Sequence, residues 1–269
     1  EFDDVGVVCT DPGSDRYVDY RCDYELWDCE TGIFLYLGIN SKSSVFSTRE
    51  VRQAISRGID RDYLVDEYYQ GFAVTAELPA SPKSPCYAPT LAQHYAYDPL
   101  QYQDMISSVK GWTVRLLVNE ADSFRVKVAH EISRMLSAGG LIVEVQSVPS
   151  DEYRYKLRNG EYDLYLGQTK LSPNMDLTPF FSENGALSYG GMDSAAVYSQ
   201  CLQALENQGN FYALHQSIMD SGYLCPILFR NYAVYAVRGL VTDLEPARDN
   251  LFCYTVGKDI AETYLGILE

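Results

Sequence analysis

The sequence predicts an α/β fold, a mostly parallel sheet flanked by helices, and three observations carry that expectation. Helical and strand-length apolar periods alternate repeatedly between residues 98 and 167. The strand runs, of which Ile33–Asn40 is the first clear one, are apolar enough to be buried. Glycines or Asn-Gly pairs stand where each intervening helix has to stop. Strands alternating with helices at this spacing build βαβ units, in which the crossover helices cover both faces of the sheet.

Taken in order, the first forty residues are short apolar pieces broken by turn signals such as Asp11-Pro12-Gly13-Ser14, ending in the strand Ile33–Asn40. Ser47 or Thr48 caps a helix with Val51, Ala54 and Ile55 on its apolar face. Asp60 caps a second carrying Leu64, Val65 and Tyr68, stopped by Gly71. Residues 78–90 hold four prolines and are read as an extended surface segment. Asp98-Pro99 opens a helix that ends by Gly111, and a strand follows at residues 114–118. Next come a helix over 123–137, a strand over 141–145, a helix over 150–158 stopped by Asn159-Gly160, and a strand over 162–167. Residues 168–193 are irregular. Helices over 194–207 and 210–221 precede short strand pieces near 227–229 and 233–237.

Composition narrows the function. The chain has 269 residues, 46% hydrophobic and 22% charged, long enough for a core without disulfides or metals and divisible into one large domain or two small ones. Its net charge of −16 repels phosphate backbones, which disfavours nucleic acid as a partner. No run approaches the length of a membrane helix, and Glu1-Phe2-Asp3-Asp4 is not the basic start of a signal peptide. The 23 tyrosines suit either a ligand-lining surface or ordinary half-buried strands. Seven cysteines include no Cys-x-x-Cys pair; Cys22 and Cys29 either close a small loop or are two idle thiols.

No motif carries catalysis. His130-Glu131 begins like a zinc-protease helix, but Arg134 stands where the second histidine is required, and the chain has three histidines in all. Ser107 and Lys110 match a bare Ser-x-x-Lys spacing without the partner motifs of acyl-serine enzymes and are read as a chance match. Phosphate loops, dinucleotide fingerprints and the nucleophile elbow are lacking, and Asp3-Asp4 and Glu120-Ala121-Asp122 have no calcium-loop spacing. Neither a metal nor another cofactor is expected. The candidate ligand contacts lie in the irregular stretch that leaves a strand's carboxyl end, where open α/β sheets bind their ligands. Lys170, Asn174 and Asp176 offer both charge signs and an amide, and Tyr189 adds a ring beside Gly190-Gly191. Each of these is, on the plainer reading, a loop residue.

The run from Tyr36 to Ile55, with a strand ending in Asn40, a loop with Phe46 and then Val51-Arg52-Gln53-Ala54-Ile55, resembles the extracytoplasmic solute-binding proteins of ABC importers in the peptide and nickel family, family 5. Asp60-Arg61, Gly71 with the proline-rich run after it, Tyr97-Asp98-Pro99 and Gly111-Trp112 continue the resemblance. So do Val128–Leu136, Gly140–Glu144, Tyr153, Leu157 and Gly160–Leu164, in the family's order. The resemblance implies a type II periplasmic-binding-protein lobe with an incomplete N-terminal lobe. Residues 1–40 would be a first-lobe remnant and hinge strand, 41–224 the second lobe, and 225–269 the return hinge with first-lobe strands.

It further implies a non-catalytic monomer that binds peptide or a similar small polar solute between two lobes and delivers it to an importer permease. Its place would be outside the cytoplasm, as a cell-surface lipoprotein or in the periplasm. Signal peptide and lipid-anchoring cysteine would lie upstream, so that the chain is a C-terminal piece or a naturally reduced relative. A peptide-sensing or interaction module of a regulator, built on the same fold, is the alternative. Peptide-binding members tend to carry an Asp for the peptide ammonium just after the Gly-x-Tyr-Asp-Leu strand; here Pro173 stands at that position, and Asp176 is the carboxylate at hand to substitute.

Overall fold

The apolar run at residues 33–40 lies inside a far longer strand. In the computed structural model, which describes residues 7–10 and 24–237, the elements in chain order are β1 (Val7–Thr10), β2 (Tyr24–Ile39), α1 (Arg49–Arg57), α2 (Arg61–Tyr68), β3 (Ala73–Thr75), α3 (Pro89–Ala92) and α4 (Pro99–Met105). Then follow β4 (Thr113–Asn119), α5 (Ser123–Gly139), β5 (Ile142–Val148), α6 (Ser150–Asn159), β6 (Leu164–Lys170), α7 (Thr178–Phe181), α8 (Ala195–Glu206), α9 (Phe211–Ser221) and β7 (Leu224–Val237).

The strands form one seven-stranded sheet in the order β1-β7-β2-β6-β4-β5, with β3 on β7. Parallel pairing holds for β6, β4 and β5, where Leu116 faces Leu164 and Val114 faces Val143. β2, β7, β3 and β1 pair antiparallel, so the sheet is mixed rather than mostly parallel. Hydrophobic period reports that a strand exists and which residues it buries; it carries no strand direction, which depends on where the chain re-enters the sheet.

β2 and β7 run side by side from Tyr24 opposite Val237 to Gly38 opposite Leu224. Leu35 faces Leu228 and Tyr36 faces Pro226, so Ile227 is an extra residue, and the bulge is what admits a proline to an inner strand. The guanidinium of Arg61 donates to the Pro226 carbonyl through Nε (3.0 Å) and Nη2 (2.8 Å), anchoring the bulge to α2. The two short pieces read near 227–229 and 233–237 are thus one strand. Arg230 and Asn231 interrupt its apolar pattern but are buried with partners: Arg230 reaches Gln168 Oε1 at 3.3 Å, and Asn231 Nδ2 donates to Asp28 at 2.8 Å.

Alternation along the strands makes three layers. Leu35, Leu37, Ile39, Leu116, Val118, Leu164 and Leu166 pack with α1, α2, α4 and α5. Phe34, Tyr36, Leu117 and Tyr165 pack with α6 to α9 through Leu157, Phe180, Phe181, Val197 and Leu214. Both faces are therefore covered, as the buried strand runs require. Asp60, Asp98 and Asp122 cap α2, α4 and α5 by accepting from Tyr63 N, from Leu100 N and Gln101 N, and from Arg125 N. Thr48 occupies the N-cap of α1 without a side-chain hydrogen bond. Cys29 is buried in β2, which begins at Tyr24; Cys22 lies outside the described residues, and so does any bond between the two. No helix among the described residues is long and apolar enough to cross a membrane.

Candidate functional site

The carboxyl ends of β4, β5 and β6 form one rim, and short polar bonds hold its loops together. Asn119 Oδ1, at the end of β4, accepts from Ala121 N (3.0 Å) and from the Ser150 hydroxyl (3.1 Å), while Glu120 N donates to Val148 O (2.9 Å). Beside it Asp122 pairs with Arg125 at 3.0 Å. Leu171 N donates to Gly32 O (2.8 Å), which fastens the segment leaving β6 to the middle of β2. On β2 itself Glu30 pairs with Lys83 at 2.7 Å, and this hydrogen bond raises the Lys83 pKa. Asp28 lies nearby; burial lifts its carboxyl pKa above the usual value against the pull of Asn231 and Lys83.

Three of the four sequence candidates sit together on this rim. Lys170 ends β6 and is exposed. A tight turn follows, in which Met175 N donates to Ser172 O (2.9 Å) and Met175 is buried at a φ of +54°. Asn174 is exposed and accepts the Ser172 hydroxyl proton at 2.6 Å. Asp176 is half-buried; its Oδ1 accepts from Thr178 N (2.8 Å), so part of this carboxylate is already used to start α7. Pro173 is exposed in the same turn.

Tyr189 stands apart, beside Tyr165 near the other end of β6, a strand that spans about 20 Å at the usual rise. Its ring meets Tyr165 edge-on at 6.0 Å, and its hydroxyl donates to Ala186 O at 3.0 Å. There it lines a cavity of about 400 Å³ with Asn40, Lys42, Arg115, Arg158, Asp163 and Asp193 among its neighbours. Asn40 organises this end: its Nδ2 donates to Tyr162 O (2.8 Å) and Gly160 O (3.2 Å), and its Oδ1 accepts from Lys42 N (3.0 Å). The Asp163 carboxylate accepts from the Ser43 hydroxyl (2.6 Å) and from Arg115 N and Nε (2.9 Å each). Burial opposes its ionisation, but the bonds from Arg115 and Ser43 outweigh burial and hold the carboxyl below its usual value.

The rim residues Asn119 and Ser150 were not singled out in the sequence, and Asp122 was weighed only within an acidic cluster, although the rule that singled out the segment after β6 applies equally to the ends of β4 and β5. The residues around Asn40 come from four separated stretches of chain, so no local pattern joins them. Among the described residues no three His, Cys, Asp or Glu side chains converge as a metal site would require.

With this geometry in view, comparison with known proteins is informative. The oligopeptide-binding protein AppA of Bacillus subtilis (strain 168) is 24% identical over 132 residues, covering 43% of this chain and 24% of that protein. The solved structure of Bacillus subtilis AppA in complex with a nonapeptide superposes with a TM-score of 0.69 at 18% identity over 87% of this chain and 52% of that one. NikA from Staphylococcus aureus, in complex with Ni(L-His)2, gives 0.71 at 16% identity over 92% of this chain and 56% of that one. The chain therefore spans about half the length of these structures and about a quarter of the curated relative. The profile described as bacterial extracellular solute-binding proteins, family 5 Middle, matches residues 16–188, more than half of the sequence, and this chain belongs to that family.

Proposed function

We propose that this chain forms the second lobe of a non-catalytic solute receptor for an ABC importer, and that it takes peptide, or a similar small polar solute, on the rim of β4, β5 and β6. In this reading residues 1–40 and 225–269 belong to the hinge and the first lobe, and residues 41–224 are the second lobe. The receptor works outside the cytoplasm, and a closed, loaded form is what the permease recognises.

The observation that carries the reading is the β2–β7 pair. Two antiparallel strands of 16 and 14 residues enter and leave the α/β body side by side and reach beyond it to β1, as a double crossing between lobes demands. Strands running in this direction support a first lobe that would lie over the carboxyl ends of β4 to β6, above Lys170, Asn174 and Asp176. A zwitterionic solute suits a rim that carries Lys170 beside Asp176, with Asp28 and the Lys83–Glu30 pair next to them. Contacts made by both lobes at once favour closure, because only differential affinity for the closed form shifts that equilibrium.

The test is thermal unfolding of the intact protein that carries this sequence, with di- to pentapeptides, nickel–histidine complexes and oligosaccharides. A peptide at about 100 times its Kd stabilises by roughly 2.7 kcal/mol, and Lys170→Ala and Asp176→Ala shrink the shift. A response to nickel–histidine alone replaces peptide as the cargo, and silence toward every solute overturns the receptor reading.

A further inference from the structure

We propose that the cavity at the opposite end of the sheet is a second ligand site, one that takes the oxyanion of a small carboxylate or phosphate compound. It is independent of the rim, a strand's length away. Its volume of about 400 Å³ lies within the roughly 300–1,000 Å³ of small-molecule sites.

Charge on the lining is unevenly spent. Asp163 is saturated by Arg115 and Ser43. Lys42 and Arg158 are exposed and form no ion pair among the described residues. Against them stands Asp193, exposed at the same cavity, with Glu161 acting on Arg115 from outside it. Two uncommitted cations facing one uncommitted acid is a local reversal in a chain of net charge −16.

The wall between them is closely packed, with the Gly190 backbone set against Tyr162 and Asn40. Gly190 and Gly191 have φ values of +63° and +83°, and a Cβ on Gly190 would fall 2.8 Å from the Tyr162 hydroxyl and 2.9 Å from Asn40 Cα. Tyr162 is fully buried, lines the cavity, and has no hydrogen-bond partner for its hydroxyl among the described residues. A buried donor left unpaired is costly, and a ligand oxygen that reached it from the cavity would satisfy it while Lys42 and Arg158 neutralise the charge.

The experiment is calorimetric titration of the intact protein, in a buffer free of carboxylate and phosphate, with citrate, with inorganic phosphate, and with NaCl at matched ionic strength. The expected result is saturable binding of citrate, phosphate or both, weakened about tenfold or more by the double substitution Lys42→Met/Arg158→Met and unchanged by Lys170→Met. Citrate alone identifies a carboxylate ligand and phosphate alone a phosphate ligand. Both substituted side chains are exposed and form no ion pair among the described residues, and an unchanged unfolding midpoint verifies that the double variant folds. Heat that NaCl reproduces, binding that survives the double substitution, or no saturable binding of either anion overturns the proposal.

Discussion

His215 shows how one side chain sets a pH dependence for the whole fold. It sits on α9 with no exposed surface, packed against Phe211 at 5.6 Å between ring centres, and neither ring nitrogen has a hydrogen-bond partner among the described residues. Burial in these apolar surroundings pushes its pKa down from 6.5 to about 4. Between those two values the unfolded chain binds a proton that the native chain refuses. Stability from this residue is therefore complete above about pH 6.5 and is lost progressively as pH falls to about 4, by roughly 3 kcal/mol. Urea unfolding of the wild type and of His215→Leu at pH 7 and pH 4.5 measures this. The variant is expected to lose clearly less stability across the interval, and equal losses would mean that carboxylates alone set the acid limit.

Between elements, the fit of β2 to β6 depends on two glycines placed diagonally. Tyr36 lies opposite Gly167, and Gly38 opposite Tyr165. Each ring covers the glycine facing it, so a Cβ at Gly38 would come within 2.0 Å of the Tyr165 ring and one at Gly167 within 2.5 Å of Tyr36. The rings meet edge-on at 5.8 Å, and Phe180 of α7 meets Tyr36 edge-on at 5.1 Å. Gly38→Ala is expected to cost roughly 1–3 kcal/mol by overpacking. In combination with Tyr165→Leu the cost should fall well below the sum of the two, and strict additivity in a denaturant double-mutant cycle would show that ring and glycine do not compete for the same space. At this scale the sequence was readable where signals are local. Asp60 and Asp98 stand at helix starts in the structure as in the sequence, and Gly71, Gly111 and Gly160 all adopt positive φ where a helix or turn ends. β3, α3 and α7, of three or four residues each, are too short to show a period, and β7 was split because the partners of Arg230 and Asn231 are distant in sequence.

Across the whole molecule the net charge of −16 acts on stability as well as on partners. Raising ionic strength from about 0.01 to 0.15 M shortens the Debye length from roughly 30 to 8 Å, so repulsion between separated surface carboxylates is screened. The thermal midpoint should rise with NaCl over this range. A falling midpoint would show that ion pairs such as Arg115–Asp163 and Lys83–Glu30 outweigh the general repulsion. The sheet has two distinct ends, a rim of strand carboxyl ends and a cavity around Asn40, and the four sequence candidates divide between them: Lys170, Asn174 and Asp176 at one, Tyr189 at the other. By itself the sequence determined the α/β class, most helix and strand positions and the family, because periodicity, capping and turn chemistry act within a few residues of one another. Only the tertiary structure decided strand direction, the continuous β2–β7 pair and the meeting of Lys42, Arg115, Arg158 and Asp193 around one cavity, because each depends on contacts between segments far apart in the chain, on which local propensity has no purchase.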